Sequence, residues 1–373
     1  MNIIRTHCIW CNSSNLSNLF ETDYSTPVAS YMIKEDTNFE SIEYNVQKCE
    51  ECLSFQTKYL VDLSILYKEN HAYSYGSTLK EMCVQFSEFI RSVPHVSNIL
   101  EIGAGNGFLA DTILAKMKEL NYLIIDPCYF GNKENRVIVN NIIENCDLQN
   151  FKQDTVVFSH VFEHFYEPVK IISLLKSMSN LKNIFLNMPN LELYLEKNTF
   201  HVLNTEHTYF VENDFLENFF LSYGFKLEKK CVFKEHSVFF HFVKVESDNM
   251  NIILKNRRSL ELVSGFFDRI KELIRSINES NDGNPIYMWP CSMHTQFILN
   301  FSKDSKTSIS LLDNSPHKIG RYLYGFHKPC MALEDVISSN IPSTIILNGG
   351  CFNDEIKTML LNRKTNNIKL IYV

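Results

Sequence analysis

The fold of this chain is decided by Ile99-Leu-Glu-Ile-Gly-Ala-Gly-Asn-Gly-Phe-Leu109. Apolar residues lead into Glu101, and a helical pattern resumes at Phe108. Three glycines form the turn between them: Gly103, Gly105 and Gly107. Glycine readily adopts the backbone conformations of a sharp strand-to-helix turn and lets a ligand lie against bare backbone. The spacing is Glu-x-Gly-x-Gly-x-Gly, which differs from the Gly-x-Gly-x-x-Gly fingerprint of dinucleotide sites.

A carboxylate stands at the end of the next predicted strand. The short apolar run Leu123-Ile-Ile-Asp126 ends in this acid, 19 residues after Gly107. An acid in this place can accept hydrogen bonds from both hydroxyls of a ribose, whereas it would repel a phosphate. Further strands are predicted at residues 136–139 and 155–160. Together these patterns predict a doubly wound α/β domain that binds a nucleoside-containing cofactor.

The glycine turn and Asp126 resemble, in order and spacing, motif I of the class I S-adenosylmethionine-dependent methyltransferases. The resemblance implies S-adenosylmethionine as cofactor, with Glu101 holding its zwitterionic methionyl end and the glycines lining the site. It also implies that His160, just after the fourth strand, lies near the cofactor. Two other interpretations stay open: a different doubly wound nucleotide-binding domain, and a glycine turn that serves only packing.

Two identically spaced cysteine pairs lie near the N-terminus: Cys8, Cys11, Cys49 and Cys52. Each Cys-x-x-Cys pair forms a tight turn with both sulfurs on one side, so two pairs can close a tetrahedral thiolate site for zinc. Because all four ligand positions are filled, we expect a structural zinc that stabilises a small module. The candidate core of this module is aromatic: Trp10, Phe20 and Tyr44. The alternative is two chance pairs of buried thiols.

Composition and charge exclude several classes of function. The 373 residues include 36 basic and 43 acidic side chains, for a net charge of −7 and no dense basic cluster. Nothing therefore supplies the phosphate-neutralising surface of a nucleic-acid-binding protein. No run approaches the roughly 18 apolar residues of a membrane span, and no apolar signal core opens the sequence. The other cysteines are expected to be reduced thiols in a cytoplasmic protein.

A wider set of motifs resembles the sugar C-methyltransferases of deoxysugar biosynthesis, which methylate a carbon of a thymidine-diphosphate-linked keto-sugar. The motifs run in order along nearly the whole chain: the cysteine pairs, Tyr73-x-Tyr75-x-Ser77, the glycine turn, Asn187-Met-Pro-Asn190, Asn204-Thr-Glu-His-Thr-Tyr-Phe210 and the segment 312–325. The resemblance implies a class I, Rossmann-like methyltransferase core with a small N-terminal zinc-binding module and a smaller C-terminal α/β Rossmann-like domain. We expect their boundaries at residues 1–75, 76–248 and 249–373, and a nucleotide-sugar as substrate.

The same resemblance assigns the chemistry. A sugar carbon is nucleophilic only as an enolate, which forms when a base removes a proton next to a ketone. His207 is implied as this base, with a purely structural histidine as the alternative. Glu206 would orient it or contact a sugar hydroxyl, although neighbours in an extended segment point to opposite faces. Tyr73 or Tyr75 would donate a hydrogen bond to the developing oxyanion. The pair His160 and His164 is a poor metal site, because the sequence identifies no third ligand.

The C-terminal part is expected to be a second α/β unit. A long amphipathic helix is predicted over residues 254–277. Strands are predicted at 286–289, 309–312 and 343–347, and helices at 295–301 and 354–361. No glycine fingerprint follows its first strand, where Trp289-Pro-Cys-Ser-Met-His294 replaces the Gly-Ala-x-x-Lys turn of the sugar family. We therefore expect this domain to close over a substrate cleft and not to bind a second dinucleotide.

Departures from the family pattern leave part of the function open. Asn204 and Thr205 stand where the sugar enzymes have tyrosine and histidine. Because substrate contacts come from this region, the sugar, its nucleotide and the methylated atom are not fixed. One alternative is O- or N-methylation of a sugar in capsule, surface-glycan or natural-product biosynthesis. A second is a non-catalytic S-adenosylmethionine-binding protein, and the oligomeric state stays open.

Overall fold

The structure is a computed structural model that describes residues 3–36, 38–67, 76–197, 199–246, 255–256, 258–263, 265–279, 283–300, 308–348, 353–361, 363 and 367–372. The chain divides into two compact units, each assembled from three segments. The first unit consists of Met1–Leu19, Val46–Leu193 and His207–Leu260. The second consists of Phe20–Asn45, Tyr194–Glu206 and Glu261–Val373. The division into three consecutive domains stays a prediction.

The strands follow in chain order: β1 (Ile3–Ile4), β2 (Leu16–Pro27), β3 (Met32–Ile33), β4 (Ser41–Cys49), β5 (Phe55–Thr57), β6 (Tyr59–Leu60), β7 (Asn98–Ile102), β8 (Asn121–Ile125), β9 (Val137–Val139), β10 (Thr155–Ser159), β11 (Asn183–Pro189), β12 (Tyr209–Phe210), β13 (Phe225–Phe233), β14 (Ser237–Lys244), β15 (Ile286–Trp289), β16 (Ile309–Asp313), β17 (Tyr322–Leu323), β18 (Met331–Ala332), β19 (Ser343–Leu347) and β20 (Ile368–Tyr372).

The α-helices are α1 (Leu63–Leu66), α2 (Ser77–Arg91), α3 (Phe108–Leu114), α4 (Pro168–Ser177), α5 (Leu191–Glu196), α6 (Asn213–Ser222), α7 (Arg258–Val263), α8 (Phe266–Glu279), α9 (Met293–Leu299), α10 (Leu333–Ser339) and α11 (Asn353–Leu361). Short 3-10 turns lie at Ile143–Asn145, Leu148–Asn150, Phe162–His164 and Phe200–Leu203. No helix within the described ranges is both long and apolar enough to cross a bilayer.

The first unit is built on a seven-stranded sheet in the order β13-β14-β11-β10-β7-β8-β9. The five strands from β11 to β9 in this order are parallel, whereas β14 runs antiparallel to both β11 and β13. Neighbouring residues of β7 point to opposite faces of the sheet. Leu100 packs into the apolar core on one face, and Ile99 packs into the core on the other face. Because both faces are covered, the inner strands are continuously apolar. The sheet aligns the carboxyl ends of β7, β8 and β10 at one edge, where the predicted cofactor residues lie.

The cysteine pairs belong to the first unit. Cys8, Cys49 and Cys52 join the apolar core on one face of the large sheet. Trp10 packs edge-on against three aromatic rings at 4.7–5.2 Å: Tyr209, Phe215 and Phe219. Phe20 instead stacks on Phe267 in the second unit, 3.5 Å between centroids. Of the three rings predicted to form one small core, those of Phe20 and Tyr44 lie 6.3 Å apart between centroids, whereas Trp10 packs elsewhere.

The second unit contains a five-stranded parallel sheet in the order β18-β16-β15-β19-β20. The strand predictions at residues 286–289 and 343–347 are confirmed, and the strand at 309–312 extends by one residue. No sequence pattern predicts β18 or β20, because one has two residues and the other is a half-exposed edge strand. The single helix predicted over 254–277 is wrong. It is two helices, α7 and α8, with Gly265 between them, a residue that disfavours helix interiors.

Candidate functional site

The turn after β7 has a left-handed backbone at its three glycines and no room for a side chain at two of them. Gly103, Gly105 and Gly107 have φ angles of 71°, 57° and 74°, all in the left-handed region. A Cβ on Gly103 would lie 2.4 Å from Cγ2 of Val161, and a Cβ on Gly107 would lie 2.4 Å from the Tyr129 hydroxyl. Larger residues are thus excluded by both backbone conformation and space. Bare backbone results at the start of α3.

Asp126 is joined directly to this turn. Its Oδ2 accepts a hydrogen bond from the Gly105 N–H at 2.7 Å, and its Oδ1 accepts one from the Cys128 N–H at 2.7 Å. Burial raises the pKa of Asp126, and the two backbone donors partly oppose that effect. Each carboxylate oxygen retains a second lone pair. The acid predicted at the end of the second strand therefore lies at the glycine turn.

Glu101 lies beneath the turn, on β7. Its side chain is 1% exposed and accepts a hydrogen bond from the Tyr122 hydroxyl at 2.7 Å. Burial raises the pKa of Glu101 to about 7, although the hydrogen bond from Tyr122 acts in the opposite direction. This carboxylate offers almost no surface to a ligand. Its described contacts support the strand that carries the turn.

His160 follows β10 in the left-handed region, with φ 52°. Such a conformation is uncommon outside glycine and marks positions that the surrounding structure enforces. The Nε2 atom lies 2.9 Å from the Ser237 hydroxyl, and the Nδ1 atom lies 3.4 Å from Oε1 of Glu163. The backbone N–H donates to the Asn187 carbonyl at 2.9 Å. His160 therefore links three strands at the same edge of the sheet.

Glu163 is a buried acid that the sequence did not single out. It is 3% exposed, and its pKa is set by two opposing effects. Burial would raise the pKa, but the contact with His160 and the charges of His164 and His207 outweigh it and lower the pKa to about 2. The rings of His164 and His207 lie 5.0 Å apart at 76°. One ligand-type atom from each of Glu163, His164 and His207 falls within 4.8 Å of the others.

His207 is held in place by contacts from distant parts of the chain. It is 8% exposed, and the next N–H, that of Thr208, donates to the Glu163 carbonyl at 3.0 Å. The buried Arg5 guanidinium donates to the Thr208 carbonyl and, at 2.8 Å, to the Tyr166 carbonyl. Burial lowers the pKa of Arg5 to about 10. The sequence showed no sign of Arg5, because its partners lie up to 203 positions away.

Glu206 has different partners from its neighbour His207. Its carboxylate accepts a hydrogen bond from the Ser30 N–H at 2.8 Å, and its own N–H donates to Oδ1 of Asn204 at 2.8 Å. Glu206 belongs to the second unit, whereas His207 opens the last segment of the first. The other two predicted catalytic residues, Tyr73 and Tyr75, lie outside the described residues.

The four N-terminal cysteines come together as their spacing predicts. All four sulfurs fall within 4.8 Å of one another, with Cys8 and Cys52 3.5 Å apart and Cys11 and Cys49 3.6 Å apart. A tetrahedral zinc with ligands at about 2.3 Å separates its sulfurs by about 3.8 Å. None of the four forms a disulfide. The Trp10 N–H points to Sγ of Cys8 at 3.4 Å, as expected for a thiolate acceptor. The donor set fits zinc.

The second unit also places an acid after its second strand. Asp313 accepts from the Ser315 N–H at 2.9 Å and from the Lys318 ammonium at 2.8 Å. The same ammonium donates to the Cys291 carbonyl at 2.7 Å, in the turn after β15. His294 in α9 is 6% exposed, and burial lowers its pKa to about 4. The acid at the end of the second strand of this sheet is thus engaged in an ion pair.

Comparisons with known proteins bear on the first unit. Residues 75–230 match the family model described as a methyltransferase domain, and no curated protein matches the sequence significantly. The chain is similar to the magnesium protoporphyrin IX methyltransferase of Synechocystis PCC 6803, with 14% identity, 46% of this chain and 90% of that one covered, and a TM-score of 0.36. It is also similar to an N-methyltransferase of Bradyrhizobium japonicum WM9, with 11% identity, 48% and 93% covered, and a TM-score of 0.37. The match over residues 75–230, the part of the chain that holds the glycine turn, is to a methyltransferase domain and supports methyltransferase activity.

Proposed function

We propose that the protein transfers a methyl group from S-adenosylmethionine to a carbon of a nucleotide-linked keto-deoxysugar, with thymidine diphosphate as the nucleotide. The observation that carries the proposal is the turn at Gly103, Gly105 and Gly107, hydrogen-bonded through Gly105 to Asp126. Bare backbone beside an acid that retains free lone pairs suits an uncharged ribose better than a phosphate.

Each cofactor residue has a proposed role. The three glycines let the cofactor approach the backbone, and Asp126 accepts hydrogen bonds from its ribose hydroxyls. Glu101, at 1% exposure, is assigned a supporting role under the turn on the methionyl side. His160 lies at the same edge of the sheet, after β10, and borders the cofactor.

The proposed chemistry starts with enolisation. His207 takes the proton next to the sugar ketone, and the electron pair left on carbon delocalises onto the ketone oxygen as an enolate. That carbon then attacks the methyl group in line, and the carbon–sulfur bond breaks to leave S-adenosylhomocysteine. The buried Glu163 carboxylate stabilises the imidazolium formed on His207, as an acid does in a catalytic triad. Glu206, Tyr73 and Tyr75 complete the proposed set by orienting the base and donating to the enolate oxygen.

The deuterium content of the substrate tests the enolate step without the cofactor. A keto-sugar nucleotide incubated in heavy water with the enzyme alone should gain deuterium next to the ketone. His207→Gln should abolish the exchange, while His241→Gln keeps it, since His241 is buried against Phe185 and Asn183. If no keto-sugar of a panel exchanged and the methyl group were found on oxygen or nitrogen, the proposal of C-methylation would be replaced by one of O- or N-methylation. Binding of S-adenosylhomocysteine without methylation of any acceptor would leave a non-catalytic binding protein.

We further propose that Cys8, Cys11, Cys49 and Cys52 hold a structural zinc. The sulfur separations fit a tetrahedral thiolate site, and three of the four sulfurs lie in the core of the first unit. Cys49→Ser should lose the zinc and unfold at a lower temperature, because binding free energy of a structural zinc is folding free energy. His207→Ala should retain this zinc. Cys291→Ser is the matched control, since Cys291 is an equally buried thiol outside the cluster.

The five-stranded parallel sheet of the second unit is the proposed Rossmann-like substrate domain. Its order, β18-β16-β15-β19-β20, places β15 and β19 at the point where the strand order reverses, which is where such sheets bind ligands. The polar groups at those strand ends include Asn348 and Thr295, which hydrogen-bond to each other at 2.9 Å. A nucleotide-sugar that raises the melting temperature together with S-adenosylhomocysteine would identify the substrate.

A further inference from the structure

The buried carboxylate of Glu163, in the first unit, lacks within the described part of the chain the hydrogen-bond donors that a buried charge normally has. It is 3% exposed, and neither carboxylate oxygen accepts a hydrogen bond from any described residue. Its described charged contact is an ion-pair distance of 3.4 Å from Oε1 to Nδ1 of His160. Most buried polar groups have hydrogen-bond partners, so a buried carboxylate without them among the described residues is unusual. The carboxylate therefore calls for a further partner.

Two imidazoles face the same carboxylate. One nitrogen of His164, one of His207 and one oxygen of Glu163 all lie within 4.8 Å of each other. A metal ion at about 2.1 Å from three ligands holds them roughly 3.4 Å apart in tetrahedral geometry. No pair of these atoms therefore has to close by more than about 1.4 Å, which side-chain rotation can supply.

The two segments that carry these groups are fixed to one another. Glu163 and His164 lie on the 3-10 turn after β10, and His207 lies two residues before the start of β12. The Thr208 N–H donates to the Glu163 carbonyl at 3.0 Å, and the Tyr209 hydroxyl donates to the Phe162 carbonyl. Pre-positioned ligands lose little conformational entropy when an ion binds, which is what a metal site requires.

We propose that Glu163, His164 and His207 form a second metal site, for a divalent ion of the zinc or cobalt type. Two imidazoles and one carboxylate are a donor set that suits borderline first-row ions better than Mg²⁺ or Ca²⁺, which prefer oxygen. His164 is half-buried, so an ion can enter from its side while Glu163 and His207 remain covered. This site is separate in chemistry from the four-cysteine site, because it contains no sulfur.

The inference rests on the proposed function only for its effect on turnover. A nitrogen of His207 that binds an ion has no lone pair left for a proton. Occupancy of this site and action of His207 as general base through that nitrogen therefore exclude each other. If His207 is the base, a bound ion inhibits.

The binding test uses the full-length protein with zinc in its cysteine site, titrated with Co²⁺ and desalted. Elemental analysis should find one cobalt per chain, without the sulfur-to-cobalt charge-transfer band that thiolate ligands give. Two variants, Glu163→Gln and His164→Ala, should each bind no cobalt while their thermal unfolding stays cooperative. Position 164 is half-buried, so its truncation should be tolerated. His241→Gln should bind one equivalent like the parent. Failure of the parent to bind cobalt, or binding that survives in both cluster variants, overturns the site.

Deuterium exchange into the keto-sugar then separates this inference from the proposed function. Added Zn²⁺ should suppress exchange in the parent in step with occupancy of the site. Exchange that rises with occupancy supports the metal site and overturns His207 as base. Exchange that does not change when the metal site is fully occupied also overturns His207 as base. In that case the proton is removed although His207 is bound to the metal. The cobalt count decides the metal site whatever the outcome of this second experiment.

Discussion

Each unit contains a sheet with a run of parallel strands whose first strand leads into a helix, but the two turns between strand and helix differ. In the first unit, β7 leads through three left-handed glycines into α3, and the acid after the second strand accepts directly from a glycine N–H. In the second unit, β15 leads through Trp289-Pro290 into α9. There the acid after the second strand, Asp313, reaches the turn only through the Lys318 side chain.

The difference concerns what the edge of each sheet can bind. Both acids accept from the N–H two residues ahead, of Cys128 and Ser315 respectively. Only the first has backbone and no side chain as its second partner. The Lys318 ammonium neutralises Asp313, so this acid is engaged by a side chain of the protein. A common architecture therefore does not imply a common ligand, and the turn residues decide it.

The largest effect is expected for Gly103→Ala. Its φ of 71° disfavours alanine by about 1–2 kcal/mol, and a Cβ 2.4 Å from Val161 adds overpacking of about 1–3 kcal/mol. Affinity for S-adenosylhomocysteine, measured by calorimetry, should fall about 100-fold or more. Gly320→Ala is the control: its φ is 77°, but nothing lies within 4 Å of the new Cβ. That variant should keep full affinity, and equal losses in both would refute the close-approach argument.

Asp126→Ala should weaken binding of S-adenosylhomocysteine by about 100-fold. It removes an acceptor for two ribose hydroxyls, and hydrogen bonds to charged groups contribute about 1.5–3 kcal/mol each. Asp313→Ala should leave this affinity unchanged and instead lower the unfolding temperature, because Lys318 loses its carboxylate. If both variants bound S-adenosylhomocysteine normally, the ribose role of Asp126 would be wrong.

The first strands also differ in charge, which a pH titration of stability reveals. Glu101 lies on β7, whereas buried Met288 occupies the corresponding place on β15. The pKa of Glu101 is about 7 when folded, against an ordinary value of 4.5. The folded state therefore holds the proton more tightly, so this stabilisation is complete below about pH 4.5 and is lost as the pH rises through 7.

Denaturant titrations of the cofactor-free protein measure this effect. Between pH 4.5 and 7.5, ionisation of Glu101 should lower the free energy of unfolding by up to about 3 kcal/mol. Glu101→Gln, which keeps an acceptor for Tyr122, should be less pH-dependent by that amount. Parallel pH profiles for parent and variant would show that the carboxylate stays ionised in the folded protein.

The smallest effect is expected for Lys318→Met. The ion pair with Asp313 is partly exposed, so its removal should cost about 1 kcal/mol or less. Salt should reduce the difference in unfolding temperature between parent and variant. Binding of S-adenosylhomocysteine should not change. A measurable gain of nucleotide binding by the second unit would instead show that Lys318 alone blocks its edge.

Local patterns predicted the parts of the site that depend on local geometry. The strand ends, the glycine turn and the tight turn of each cysteine pair follow from spacing within short segments, whereas the two pairs meet across 38–44 positions of the chain. The helix over 254–277 failed because one glycine outweighed a continuous apolar stripe. Of the predicted aromatic core, Phe20 and Tyr44 are in ring contact, but Trp10 packs elsewhere, because ring partners are set by packing between distant segments.

By itself the sequence determined where the backbone must turn left-handed and which thiols share a turn, since both depend on residues a few positions apart. Only the tertiary structure decided that Glu163 would be buried against His164 and His207, and that Arg5 would hold the segment after His207. The physical reason is burial. Whether a carboxylate is dry, and which imidazole faces it, depends on strands and turns that meet across more than forty residues of chain.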